Sequence, residues 1–167
     1  MNDGSTARTS LQAVGKLYVV RHADAGHRAG AHDLDERRVL SPRGVRQAEG
    51  LVALLGDAGV TQLIASPFVR CVQTLEPLGV RLGLAVKEDE RLAEGHGAHD
   101  VLELAAEVRE QTAVLCSHGD VIPEVLAALQ ARGTRFKHEL RWQKASTWVL
   151  SWNGDQLAKG SYLPPPA

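Results

Sequence analysis

Short apolar runs recur along this chain, each followed by a polar break and then by apolar positions at helical spacing. Lys16 to Arg21 (KLYVVR) is rich in β-formers and predicts a buried strand. Ala23 to Leu40 is polar, with little periodicity, and predicts a long loop of the kind that carries function. Ser41-Pro42 opens a helix: serine caps it, and proline suits the first helical position, where a missing N–H costs nothing. Val45, Ala48, Leu51, Val52 and Leu55 share one face of that helix, and Gly59 is the expected stop. Gln62 to Ala65 predicts a second strand, ending at Ser66-Pro67. Helical character resumes from Pro67 to Gly83, with Pro77 expected to kink or break it. Leu84 to Lys87 reads as a short strand, Ala98 to Arg109 as a helix, and Thr112 to Cys116 as a third buried strand. After the turn Ser117 to Asp120 comes a helix over Val121 to Arg132. Ala145 to Trp152 is a late strand with Trp148, Leu150 and Trp152 on one face, paired with Gln156 to Lys159 through the turn at Asn153-Gly154.

Strands alternating with helices predict a layered α/β fold with a largely parallel central sheet. The 167 residues, 44% of them hydrophobic, suffice for one domain with a core. The boundaries expected are a disordered N-terminal tail over 1–15, the domain over 16–160 and a loose Pro-rich tail over 161–167. Nineteen basic and 20 acidic side chains leave no basic excess, which argues against a nucleic-acid or anionic-membrane binder. No apolar run is long enough to span a bilayer, and the first 15 residues lack a signal-peptide core. A cytoplasmic setting is expected, with Cys71 and Cys116 reduced.

In sheets of this kind, ligands bind beyond the carboxyl ends of the strands. Three strand exits carry conspicuous polar groups: Arg21-His22, Ser66 with Arg70 just after it, and His118-Gly119 at a helix start. Together they bring two imidazoles, two guanidiniums and a helix N-terminus to one mouth. Guanidinium forks match phosphate oxygens, and a helix N-terminus adds N–H donors. A cluster this cationic is costly without an anion, so a phosphate ligand accounts for it best. A rival reading uses His22-Ala23-Asp24 and His118-Gly119-Asp120 as His-x-Asp metal ligands, although Arg21 and Arg70 would repel a cation. A cysteine phosphatase is excluded because the position six beyond Cys116, where that chemistry needs arginine, is Ile122. A serine-hydrolase elbow is excluded because Ser117 lies between Cys116 and His118 rather than between glycines.

Four ordered motifs then carry a resemblance. Val19-Val20-Arg21-His22-Ala23, Leu40-Ser41-Pro42-Arg43-Gly44 with Gln47-Ala48, Ala65-Ser66-Pro67 with Arg70-Cys71 and Gln73-Thr74, and Cys116-Ser117-His118-Gly119 resemble the histidine phosphatase superfamily over roughly residues 16–160. Ala23 stands where the family usually has glycine. The short length resembles the small bacterial branch that includes phosphohistidine-protein phosphatases. Ser146 to Ser151 also resembles the histidine phosphatase domain that follows a Nudix domain in some actinobacterial proteins, and this sequence contains no Nudix segment.

The resemblance implies a phosphoglycerate mutase-like α/β/α fold and a hydrolase of phosphate esters needing no cofactor or metal. It implies that His22 accepts the phosphoryl group as a neutral imidazole whose other nitrogen donates to a backbone carbonyl. Arg21, Arg70 and His118, with Gly119 and Ser66, would hold the phosphate. Glu94 lies where many members carry the proton donor, with Glu90 and Asp89 as rivals. The plain reading of Arg28, Arg37 and Arg38 in the first loop is a solvated, charged segment; the sharper one brings one of them to the substrate's leaving group, with Lys144 a weaker candidate. The substrate implied is a phosphoprotein phosphohistidine or a small phosphorylated metabolite or nucleotide; oligomeric state stays open. The alternatives are a non-catalytic phosphate-binding domain that keeps the fold and the metal-dependent hydrolase above.

Overall fold

The computed structural model describes residues 15–28 and 30–166, so the tail expected over 1–15 lies, but for Gly15, outside the described residues. The first strand, β1 (Lys16–Arg21), alternates strictly: Leu17 and Val19 face one core cluster, Tyr18 and Val20 the other. A strand buried on both faces is what a helix-covered sheet requires. The chain continues through α1 (His32–Glu36), α2 (Pro42–Leu55), β2 (Gln62–Ala65), α3 (Val69–Leu82) and β3 (Val86–Glu88). A single 3₁₀ turn over Glu90–Leu92 leads into α4 (Ala98–Glu107), β4 (Ala113–Ser117) and α5 (Val121–Ala131). The chain closes with β5 (Arg135–Phe136), β6 (Thr147–Asn153) and β7 (Gln156–Leu163).

The seven strands form one sheet in the order β3-β2-β4-β1-β6-β7-β5. β1, β2, β3 and β4 run parallel, β6 is antiparallel to both β1 and β7, and β5 is parallel to β7. α2 and α3 cover one face through Leu51, Leu55, Cys71, Leu75 and Leu78. α4 and α5 cover the other through Val101, Leu104, Ile122, Val125 and Leu126. This is the expected three-layer α/β/α arrangement with a mostly parallel sheet. Trp148, Leu150 and Trp152 all pack on the α4/α5 side, and both cysteines are buried and free.

The structure corrects the sequence reading at several places. The first loop contains α1, whose five residues are too few to show a period. α2 stops at Leu55, capped by Gly56, three residues short of Gly59. α3 starts at Val69 and continues through Pro77 to Leu82, because Thr74, Leu75, Leu78 and Gly79 bury its inner face around the proline. That packing outweighs the local cost of the missing hydrogen bond. β7 runs to Leu163, three residues beyond the boundary drawn at 160, and pairs with β6 from Gln156↔Asn153 to Leu163↔Thr147. Its glycine hides the pattern: a β-carbon on Gly160 would lie 2.7 Å from the Phe136 ring of β5, so only glycine fits. The Pro-rich segment packs back on α2, where a β-carbon on Gly50 would meet Pro166 at 2.4 Å.

Candidate active site

β1 and β4 are parallel and in register, with Arg21 opposite Ser117, so the residues that follow leave the sheet side by side. His22 N–H donates to the Ser117 carbonyl at 3.0 Å, and the rings of His22 and His118 meet edge to face with centroids 5.5 Å apart. From the far side the buried Ala145 amide donates to the carbonyls of Arg21 (3.0 Å) and His22 (3.2 Å). Ala145 holds φ 63°, a left-handed conformation that a non-glycine residue adopts only when its surroundings enforce it.

His22 is 5% exposed. Its Nδ1–H donates to the Ala23 carbonyl at 2.8 Å, which leaves the lone pair on Nε2. Burial, then the nearby Arg70, Arg21 and Lys144, pull its pKa down to about 3, against the pull of the Ala23 bond. The ring is neutral near pH 7 and is the kind of nitrogen that can attack phosphorus. His118 is fully buried. Its Nε2 lies 2.8 Å from Ser66 Oγ, and its Nδ1 lies 3.5 Å from an Arg70 nitrogen, which can only donate. Nε2 therefore carries the proton that Ser66 accepts. Burial lowers the His118 pKa to about 2, reinforced by His22, Arg70 and Arg21, even though a Glu94 oxygen lies 3.6 Å from Nδ1.

The Arg21 guanidinium lies against Gly119 and donates to the Trp142 carbonyl at 2.9 Å. Arg70, fully buried on α3, donates to the Asp35 carbonyl (2.8 Å), the Asp35 carboxylate (3.2 Å) and Glu94 Oε1 (2.8 Å). Each arginine keeps a buried Nε without a hydrogen-bond partner among the described residues. Around these groups is a cleft of about 260 Å³ lined by Arg21, His22, Gly26, Arg28, Arg38, Arg70, Glu94, Gly119, Asp120 and Lys144. Two larger hollows lie elsewhere. One, about 380 Å³ on the β5–β7 edge, is lined by Arg135, Lys137 and Lys159 but no histidine, cysteine or carboxylate. The other, about 340 Å³ beside Trp152, has Asp155, Arg132 and Thr134, whose hydroxyl donates to the Leu157 carbonyl at 2.6 Å, but no histidine or cysteine.

Arg21, His22, Arg70, Gly119 and Glu94 thus share one cleft, with His118 directly behind it. Ser66 does not reach the cleft: it is fully buried and serves the His118 ring. Of the three candidate acids only Glu94 arrives; Asp89 is clamped by Arg91, and Glu90 stays exposed on the 3₁₀ turn. Arg28 reaches Glu94 at 3.2 Å, and Arg38 is held by Asp35 and the carbonyls of Ala25 and Gly26. Arg37 is an exposed residue at the end of α1. The two His-x-Asp carboxylates are otherwise engaged, Asp24 by Ser41 and Lys144 and Asp120 by the Gly95 amide. Among the described residues, no group of three or more His, Cys, Asp or Glu could hold a metal.

Sequence reasoning missed Asp35, the buried anion that seats both Arg70 and Arg38. The one available signal was an acidic residue in a segment already suspected of function. Asp120, read from sequence as a candidate metal ligand, lines the cleft with its carboxylate held by the Gly95 amide. Gln47, Gln73 and Thr74, which the motifs contain, each accept from a loop amide, of Asp24, Leu40 and Ala23 respectively.

Comparison with known proteins bears on the family and the fold. A family model for the histidine phosphatase superfamily (branch 1) matches residues 17–100. An 8-oxo-(d)GTP phosphatase of Mycolicibacterium smegmatis is 38% identical over 157 residues, covering 90% of this chain and 48% of the relative. The chain therefore spans about half the length of that relative. Among solved structures, the protein histidine phosphatase SixA complexed with tungstate superposes with a TM-score of 0.70 at 20% identity, over 91% of this chain and 96% of that one. A putative phosphohistidine phosphatase SixA from Nakamurella multipartitia gives 0.67 at 23% identity, over 92% and 96%. At these identities the structural likeness speaks for the fold.

Proposed function

The chain belongs to the histidine phosphatase superfamily, and we propose that it is a metal-independent phosphohydrolase that transfers a phosphoryl group to His22 and then to water. The observation that carries this reading is the state of His22: buried, neutral, tied through Nδ1–H to Ala23 and lining a cationic cleft. The phosphoryl oxygens sit against Arg21 and Arg70, with His118 behind them. Nε2 attacks phosphorus in line as the bond to the leaving oxygen breaks. Glu94 gives that oxygen its proton, and the resulting carboxylate then takes one from the water that cleaves the N–P bond. The guanidiniums offset charge that develops on the transferring group. Ser66 acts here as a positioning residue for His118.

For the substrate, a small phosphorylated metabolite of nucleotide type is the better supported class. Arg28, Arg38 and Lys144 add three cations at the cleft beyond the two nearest His22, and the 38% identical relative is a nucleotide phosphatase by name. A phosphohistidine on a protein is the second reading, favoured by a cleft only about 260 Å³ in size. A phosphate-release screen over nucleoside mono- and diphosphates, sugar phosphates and a phosphohistidine protein tests both. Wild type should release phosphate with EDTA present and His22→Ala should not. Equal inertness of both proteins across the panel would instead favour a binding domain.

A further inference from the structure

The imidazole of His22 is held through one peptide unit, and the other side of that unit is held by a side chain. The carbonyl that accepts His22 Nδ1–H belongs to the peptide joining Ala23 to Asp24. The N–H of the same peptide, on Asp24, donates to Gln47 Oε1 at 2.9 Å. Gln47 is 5% exposed and sits on the inner face of α2. One line of hydrogen bonds thus runs from the Gln47 amide oxygen through a peptide to the ring nitrogen opposite the attacking one. An acceptor on the N–H side of an amide pushes electron density toward its oxygen, and so strengthens the bond made there.

The neighbouring peptides are pinned separately. The Asp24 carbonyl accepts from the Ser41 amide at 2.9 Å, and α2 approaches so closely that a β-carbon on Gly44 would lie 1.9 Å from it. The Ala23 amide, one peptide earlier, donates to Thr74 Oγ1 at 2.9 Å. These contacts fix the main chain. Among the described residues, only Gln47 bonds the N–H of the peptide whose oxygen the imidazole touches.

We propose that Gln47 is a positioning residue that sets the tautomer and the aim of His22 through the Ala23–Asp24 peptide. The proposal rests on the reading of His22 as the nucleophile. Gln47→Met keeps the length and removes the acceptor; Gln47→Glu keeps an acceptor oxygen and adds charge. In the full chain, Gln47→Met should lower kcat roughly three- to tenfold, the worth of a neutral hydrogen bond, with KM little changed. The ¹⁵N spectrum of its imidazoles should show His22 losing its preference for the Nδ1–H form, a change that mere loosening of α2 would not cause. Gln47→Glu should keep the Nδ1–H form, move its proton resonance downfield and retain activity closer to wild type. Wild-type kcat together with an undisturbed tautomer in Gln47→Met overturns the proposal. Should that variant fail to fold, Gln47→Glu decides alone, and an unmoved Nδ1–H resonance overturns it. His22→Ala separates the two ideas: activity surviving in it refutes the nucleophile, whereas an inert His22→Ala beside an unaffected Gln47→Met refutes only the role of Gln47.

Discussion

The Arg21 guanidinium rests on the α-carbon of Gly119: a β-carbon there would lie 2.7 Å from Arg21 Cζ and Nη2. No side chain can be added without moving the arginine that flanks His22. Gly119→Ala should therefore lower kcat/KM on the order of a hundredfold, the usual effect of displacing one charge-stabilising donor. The thermal midpoint should change little, because the strain is relieved by swinging Arg21 outward. Steady-state kinetics on a chromogenic phosphate ester checks this, and near-normal turnover would mean that Arg21 is not a phosphate ligand.

Asp35 carries the other guanidinium. It is 4% exposed and pairs with Arg70 at 3.2 Å and Arg38 at 3.1 Å. Asp35→Ala leaves buried Arg70 with Glu94 as its one remaining carboxylate partner among the described residues and should destabilise the protein by about 3 kcal/mol, the low end for breaking a buried pair, read from urea denaturation. Phosphate inhibition should weaken in parallel, since Arg70 loses its seat.

Two buried histidines with lowered pKa values make stability depend on pH with a definite sign. Unfolded, each takes up a proton near pH 6.5; folded, His22 does so only near pH 3 and His118 near pH 2. Below pH 6.5 the unfolded chain binds more protons, so stability is fully present above that value and falls as pH drops toward 3. The slope should approach about 1.4 kcal/mol per pH unit for each histidine. Denaturation curves at pH 7 and pH 5 give the difference, and equal midpoints would show that the two rings titrate normally.

Arg28 tests the substrate class. Its side chain is 72% exposed, and its pair with Glu94 should add little stability. Arg28→Gln should leave the unfolding free energy from urea denaturation within about 0.5 kcal/mol of wild type. It should cost on the order of tenfold in kcat/KM for a nucleoside diphosphate and far less for p-nitrophenyl phosphate, because one lost contact to a charged group is worth about that much. Equal losses on both substrates would count against a second anionic group on the substrate.

Residues at the ends of buried strands were readable in advance because β-rich apolar runs such as Leu17 to Val20, too short for a buried helix, mark strands covered on both faces, and chemistry follows at their exits. Ser41 and Pro42 announced α2 by local capping alone, and the Ser41 hydroxyl does accept from the Gly44 amide. What stayed hidden depends on tertiary partners. α1 is five residues long, and Asp35 is buried only because Arg70 meets it from 35 positions away. Gly160 reads as a strand breaker until Phe136 is seen across the edge. Ser66 stands at a strand exit like the other candidates, and its place in sequence does not show that its hydroxyl is buried against the His118 ring.

The place of β1 in the sheet has a consequence for how the protein becomes active. Leu17 pairs with Ala113 on one side and with Leu150 on the other. Both partners lie far along the chain, so the strand that presents Arg21 and His22 can gain its neighbours only by closing very long loops. During synthesis β1 emerges before both partners and waits, unpaired, until β4 and then β6 have followed. A chain cut short before β4 holds His22 but not the strand that aligns it. Turnover is thus a report on completed folding, and a stalled or clipped fragment carries His22 as an ordinary solvated imidazole.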